Sequence, residues 1–405
     1  MKPLEGVKIL DFSQFFAGPL CTLLLSDMGA EVIKLENVPI GDPTRYNVAI
    51  ENDKSTNFTT RNRGKKSVIM NLKDERQKAI FLEMVKTADA VVENFKPGTL
   101  QKFGITWELL HEINPKIVYT SISGYGQTGP YREHAAYDTA VQAECGIISI
   151  TGEDADHTVR PGAAIADATA GFVGCIGTLA ALFDARRTGE GRRVDIAMLD
   201  AMVTMMENFV SSYLVTGNIP KPLGNRMYTS CPFRDFMCKD GKPVFIGIST
   251  DSQFKTFCGI VGHNEWLEDP RFATMNLRAQ NYLILEPLVE EALLQIDSDT
   301  LCEEMQKYKL VYGHLNNMAQ VCEHPQVAAR NMLVNAVYAD GTTFRVPGCP
   351  VKMSGMEPQT DYPAFELGAN TLEVLSQYAD MSALHEIYDQ VLESCTAAAR
   401  AKYHP

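Results

Sequence analysis

Short apolar runs alternate with segments of helical spacing through the first 125 residues, and this alternation limits the fold more than any other feature. The apolar runs cover residues 7–12, 31–36, 67–72, 89–95 and 116–122. Pro19 suits the first turn of a helix that stops near Gly29, and residues 75–87 place Ile80, Phe81, Met84 and Val85 at helical spacing. Strands separated by helices predict an α/β fold, a large Rossmann-like domain with a mostly parallel sheet covered on both faces. Ligands of such sheets bind at the carboxyl ends of the strands.

Beyond these runs, residues 168–185 and 199–215 read as long helices and residues 192–197 as a further strand. Residues 218–230 are rich in Pro, Gly and polar groups and read as a linker. Apolar runs at 231–238 and 244–248 flank Lys239-Asp240-Gly241-Lys242, a hairpin signal, and helical patterns follow at 252–262, 282–296 and 301–308. The expected division is a large α/β domain over 1–200, a linker helix over 201–224 and a smaller α+β domain over 225–325. A return linker and the rest of the large domain follow over 326–405, with helices from Thr371 and from Ser382.

A chain of 405 residues is too long for one ordinary core. Its net charge of -13, from 37 basic and 50 acidic residues, repels nucleic acid and anionic membranes, so neither is an expected partner. The longest apolar stretches are interrupted by Gly, Asp or Arg short of a membrane span, and the first residues carry no secretory apolar core. Ten cysteines, from Cys21 to Cys395, form no C-x-x-C pair, which fits reduced thiols and a cytoplasmic location. Eight histidines show no metal spacing, so no metal is expected. The turn after the first strand, Ser13-Gln14-Phe15-Phe16-Ala17-Gly18-Pro19, is not G-x-G-x-x-G, which counts against a nicotinamide enzyme.

Several segments can carry chemistry. Asp167 stands alone as a charge in Gly162-Ala163-Ala164-Ile165-Ala166-Asp167-Ala168, just ahead of an apolar helix. From that segment alone it reads as a helix N-cap. Phe15 and Phe16 at the end of the first strand either support an adenine ring or plug the core. Arg45, the run Arg61-Asn62-Arg63-Gly64-Lys65-Lys66, Lys73 and Lys102 read either as an anion site for phosphates or as solvated charge. Asn94 and Phe95 close the fourth strand, where a ligand or a plain turn is equally consistent. Three glycines in 123–130 permit close approach of backbone to a ligand, or mark a surface loop.

Together these segments resemble family III coenzyme A transferases, the CaiB/BaiF family that includes carnitine CoA-transferase and formyl-CoA:oxalate CoA-transferase. The likeness runs through PLEGVKILDFSQFFAGPLCTLLLSDMGAEVIKLE, VENFKPGTLQKFGI, SISGYGQTGPY, AAYDTAVQAECGIISITG, IADATAG, TGEGRRVDIAMLDAM and LGANTLEVL, nearly the whole chain. The resemblance implies a carboxylate nucleophile at Asp167 and a tyrosine near the acyl site at Tyr137. It implies coenzyme A contacts at Phe15, Phe16, Ala17, Met70, Lys73, Asn94, Phe95 and Lys102. It also implies an interlocked homodimer, with acyl-CoA and a small carboxylic acid as substrates and no prosthetic group, coenzyme A entering only as substrate.

The implied reaction moves CoA from an acyl-CoA to a free acid through an aspartyl-CoA thioester. Where relatives place an arginine on the nucleotide, this chain has Asn37, with Arg45 or the Arg61 to Lys66 run as replacements. Residues 225–236 lack the glycine run that some relatives use as a lid. One alternative is a 2-methylacyl-CoA racemase. Its paired bases would need a histidine where Tyr137 stands, and His134 lies three residues away. A second is a CoA-binding protein without catalysis.

Overall fold

The computed structural model describes residues 2–47, 50–389 and 391–392, so Cys395 and the expected chain end beyond 392 lie outside the described residues. Six strands form one sheet: β1 (Lys8–Asp11), β2 (Glu31–Glu36), β3 (Lys66–Ile69), β4 (Ala90–Glu93), β5 (Val118–Ser123) and β6 (Arg193–Ala197). Their spatial order is β3-β2-β1-β4-β5-β6 and every neighbouring pair is parallel. This is the expected Rossmann-like sheet. Its central strands are buried on both faces, which is why they read as continuous apolar runs. One core joins Leu10, Ile33, Val68, Val91 and Tyr119 to Phe81 and Met84, and is closed by Leu375, Leu384 and Tyr388 from the returning chain.

Two helices set the working end of the sheet: α1 (Ala17–Asp27) directly after β1, and α6 (Ile165–Thr188). Between them in sequence lie α2 (Thr56–Asn62), α3 (Glu75–Val85), α4 (Trp107–Ile113) and α5 (Asp138–Glu144). Helix α6 approaches α1 and β5 through glycine. A Cβ on Gly171 would sit 2.8 Å from the Ala17 carbonyl oxygen, and one on Gly174 would sit 2.7 Å from Ile122 Cδ1. At 24 residues and a mean hydropathy of 1.6 over its most apolar stretch, α6 is long and apolar enough to cross a membrane, contrary to the expectation of shorter apolar stretches. Interruption by glycine and Asp does not lower its hydropathy far enough, and its buried positions Ala170, Gly174, Thr178 and Ala185 are occupied by packing within the protein.

The expected helix over 199–215 is two, α7 (Met198–Met205) and α8 (Glu207–Thr216). Nothing in the sequence marks the break at Met206. The chain divides into two compact units: Met1–Cys145, Pro161–Thr216 and Pro325–Pro405 form the first, Gly146–Arg160 and Gly217–His324 the second. The second unit holds an antiparallel sheet of Phe233–Met237, Pro243–Gly247 and Val311–His314. Its first two strands are the hairpin read from Lys239 to Lys242, and its core includes Phe236, Val244, Phe257 and Leu293.

Gly171→Ala places a methyl group against a backbone carbonyl that cannot swing away. We expect a loss of about 1–3 kcal/mol, read as a lower midpoint in chemical or thermal denaturation. An unchanged midpoint would contradict the close α1–α6 packing.

Candidate active site

The strand order reverses between β1 and β4, and the loops leaving these two strands are tied together there. Asn94 Oδ1 accepts from the Gln14 N–H at 2.7 Å, and Asn94 Nδ2 donates to the Gln14 carbonyl at 2.8 Å. The pairing copies a backbone ladder and joins the first βα turn to the end of β4. Phe15 sits in that turn at φ 64°, a strained conformation for a bulky residue that costs about 1–3 kcal/mol.

Buried charges hold the turn. Asp11 Oδ1 accepts from the Ser13 N–H at 2.8 Å, and Lys34 Nζ donates to the Ser13 carbonyl at 2.7 Å. Asp42 accepts from the Phe15 N–H at 3.3 Å and pairs with Lys34 at 3.1 Å. Lys65 donates to Asp11 at 3.1 Å, to Thr22 at 2.8 Å and to Asn62 at 2.8 Å. Burial pushes the Lys65 ammonium down to about 8 against the pull of Asp11.

These contacts correct the phosphate-site reading of the basic run. Arg45 is buried on Glu36, Arg63 on Asp27, and Lys66 reaches Glu31 and Glu373. With Lys65 on Asp11, these cations already have internal partners, so they hold the fold together. Lys73 and Lys102 remain exposed.

Asp167 lies in the first turn of α6, but it is not the N-cap; that position is Ala164, which has no side-chain cap. The capping falls to Asp138, the first residue of α5. Its Oδ1 accepts from the N–H groups of Ala166 at 2.9 Å and Asp167 at 3.2 Å. The segment reading failed because the cap comes from 28 or 29 residues away. The Asp167 carboxylate therefore makes no hydrogen bond or ion pair among the described residues. Burial, then the Asp138 charge, lifts its pKa to about 6, and the Arg61 guanidinium partly opposes them.

Asp167 opens onto a cavity of about 470 Å³. Phe15, Phe16 and Ala17 from the first turn, Asn94 and Phe95 from the end of β4, and Tyr137 all line it. A second cavity, about 180 Å³, is lined by Met70, Lys73, Asn37 and again Phe95. Leu100 and Phe103 also line it, and Lys102 lies exposed on the turn between them without lining either cavity. Phe95 is thus a wall common to both spaces. Behind it the buried Glu93 accepts from the Phe95 N–H at 2.7 Å, and burial lifts Glu93 to about 7. Arg61, Asp138 and His134 also line the larger cavity. The sequence treated Arg61 as one charge in a run and did not single out Asp138. An Asp directly after Tyr137 at a helix start was the available signal.

The comparisons with known proteins follow this geometry. Residues 4–371 match the family described as CoA-transferase family III. The chain belongs to CoA-transferase family III. It is 37% identical to an acetyl-CoA:oxalate CoA-transferase of Acetobacter aceti, covering 89% of this chain and 92% of that protein. It is 34% identical to a succinate–glutarate CoA-transferase of Agrobacterium fabrum, covering 93% and 95%. A crystal structure of a CaiB/BaiF family protein from Brucella suis aligns with a TM-score of 0.83 at 33% identity, covering 93% of this chain and all of that one. The relatives named above are CoA-transferases of oxalate, succinate and glutarate, and the cavity presents the Asp167 carboxyl group, which has no hydrogen-bond or ion-pair partner among the described residues.

A carboxylate attacks only when ionised. If Asp167 is the attacking group, the rate of CoA exchange should rise with pH through about 6 and level off above it, because Asp167 gives up its proton there. Asp138→Asn keeps a capping oxygen and removes the neighbouring like charge, so it should move the midpoint of the pH–rate curve downward. A midpoint that stays in place would contradict the Asp138 contribution.

Proposed function

We propose that this family III enzyme transfers CoA from an acyl-CoA to a small dicarboxylic acid, with Asp167 as the nucleophile and an aspartyl-CoA thioester as intermediate. The observation that carries this reading is a part-buried carboxyl group, unpartnered among the described residues, facing a cavity of about 470 Å³. A structural carboxylate at that depth would be paired. The acids named for the relatives, oxalate, succinate and glutarate, are dicarboxylic, which supports the acid class.

Asp167 adds to the thioester carbonyl, and the collapsing tetrahedral intermediate expels CoA thiolate and leaves a mixed anhydride. The thiolate then attacks the aspartyl carbonyl, the donor acid departs as carboxylate, and Asp167 holds CoA as a thioester. The acceptor carboxylate reverses both steps. One thioester replaces another, so the exchange is close to balanced in energy. The protein's task is to hold the reactants in place and stabilise the oxyanion.

In this reading the nucleotide end of CoA occupies the smaller cavity beside Met70 and Lys73, and Lys102 reaches it from the exposed turn between Leu100 and Phe103. The thioester arm passes Phe95 and Asn94 to reach Phe15, Phe16 and Ala17, and Tyr137 bounds the acyl group. A homodimer is part of the same proposal. Exposed Phe172, Ile176 and Phe183 lie along α6, and exposed Tyr213, Leu214 and Val215 end α8. Apolar surface of this extent is what a subunit interface covers.

His134 on the cavity wall keeps the racemase as a second reading, because it supplies a base in the same space as Asp167. Two measurements separate the readings. Wild-type protein should move label between a free acid and its CoA thioester, and Asp167→Asn should lower that exchange by at least about 10³-fold. Near-normal exchange in the variant would contradict the mechanism. Deuterium appearing at the α-carbon of recovered thioester in heavy water, without label exchange, would select the racemase.

A further inference from the structure

Arg61 ends α2 with its guanidinium stacked on Phe16, 3.9 Å from the ring centre. Nη1 donates to the Asn57 carbonyl at 3.2 Å and to Asn57 Oδ1. Nε and Nη2 donate to nothing among the described residues, and no carboxylate pairs with this guanidinium. The other long cations of the same cavity differ: Arg132 reaches Glu133 at 3.1 Å and Lys96 reaches it at 3.8 Å. Arg61 is therefore a part-buried cation whose charge acts on Asp167 and whose remaining N–H groups are unspent.

A guanidinium keeps its charge at any ordinary pH and offers a planar pair of N–H groups that matches a carboxylate. Asn57 and the Phe16 ring fix its plane, so little freedom is lost when a ligand binds. Two anions are available in a CoA transfer, a phosphate of the nucleotide and a carboxylate of the acid. The phosphates lie at the nucleotide end, assigned above to the cavity with Lys73 and Asn37, which Arg61 does not line. Arg61 lines the cavity of Asp167.

We infer that Arg61 is a specificity-determining residue that binds the non-reacting carboxylate of a dicarboxylic substrate, while the other carboxyl end meets Asp167. The inference rests on the transferase reading and adds the residue that selects the acid. A monocarboxylic acid of the same length would set a methyl group against the guanidinium and leave its N–H groups unpaired.

The test compares acceptors. In a two-step mechanism with a common enzyme-bound CoA, kcat/KM for the acceptor does not depend on the donor. The ratio of kcat/KM for glutarate to that for pentanoate is measured in wild type, Arg61→Met and Arg61→Lys. Arg61→Met should lower the ratio by roughly 10–10²-fold, the loss expected for a charge-assisted pair. Arg61→Lys, which keeps the charge without the planar fork, should fall between wild type and Arg61→Met and guards against a misfolded first variant. A ratio unchanged in both variants would overturn the inference, whether absolute rates fall or not. Wild-type transfer to pentanoate in preference to glutarate would overturn it and leave the transferase reading standing. A wild-type protein that transfers CoA to neither glutarate, succinate, oxalate nor pentanoate would overturn both.

Discussion

The Asp138 carboxylate takes the N–H groups of Ala166 and Asp167 in the first turn of α6, and the proposed chemistry of the site rests on that contact. A carboxylate at Asp167's place in the first turn would ordinarily fold back onto those N–H groups and be neutralised by the helix end. Asp138 occupies them instead, from α5. Asp167 is left beside a like charge, part-buried and facing a cavity. Each of these conditions makes its carboxylate less comfortable and so more ready to form a bond.

The same arrangement recurs around the first βα turn. Lys34, Asp42, Asp11 and Lys65 are fully buried, and ion pairs at that depth add little net stability. Asp11, Lys34 and Asp42 contact Ser13 and Phe15, and Lys65 holds Asp11, so their effect is to fix a turn that includes a residue at positive φ. A turn held in advance gives a thioester a rigid wall, and the entropy of ordering it is met during folding and not at binding. Glu93 does for the end of β4 what Asp11 does for β1: a buried carboxyl accepts a loop N–H two residues on.

Much of the fold was legible because it rests on local patterns. The strand at residues 31–36 shows its full length in the sequence, and the Lys239 to Lys242 hairpin appears from its turn residues. Helix α2 was not legible, because Thr56-Asn57-Phe58-Thr59-Thr60 has neither helical propensity nor an apolar stripe. Arg61 was lost with it, folded into a run whose other members prove to be structural. The family strings pointed to Asp167 and to the Phe15, Asn94 and Phe95 loops, and the structure brings these onto one cavity. The Asp138 cap and the Asp11–Lys65 pair join residues far apart in the chain. No spacing rule encodes such contacts, so they emerge only when the sheet assembles.

The central claim is that one free carboxyl group carries CoA between acids, and mass spectrometry tests it most directly. Protein incubated with an acyl-CoA and no acceptor, then digested at low pH, should yield the peptide containing Asp167 heavier by the mass of CoA less one water. The adduct should vanish on adding an acceptor acid. CoA recovered on a different side chain, or an unmodified Asp167 peptide during active turnover, would contradict the account.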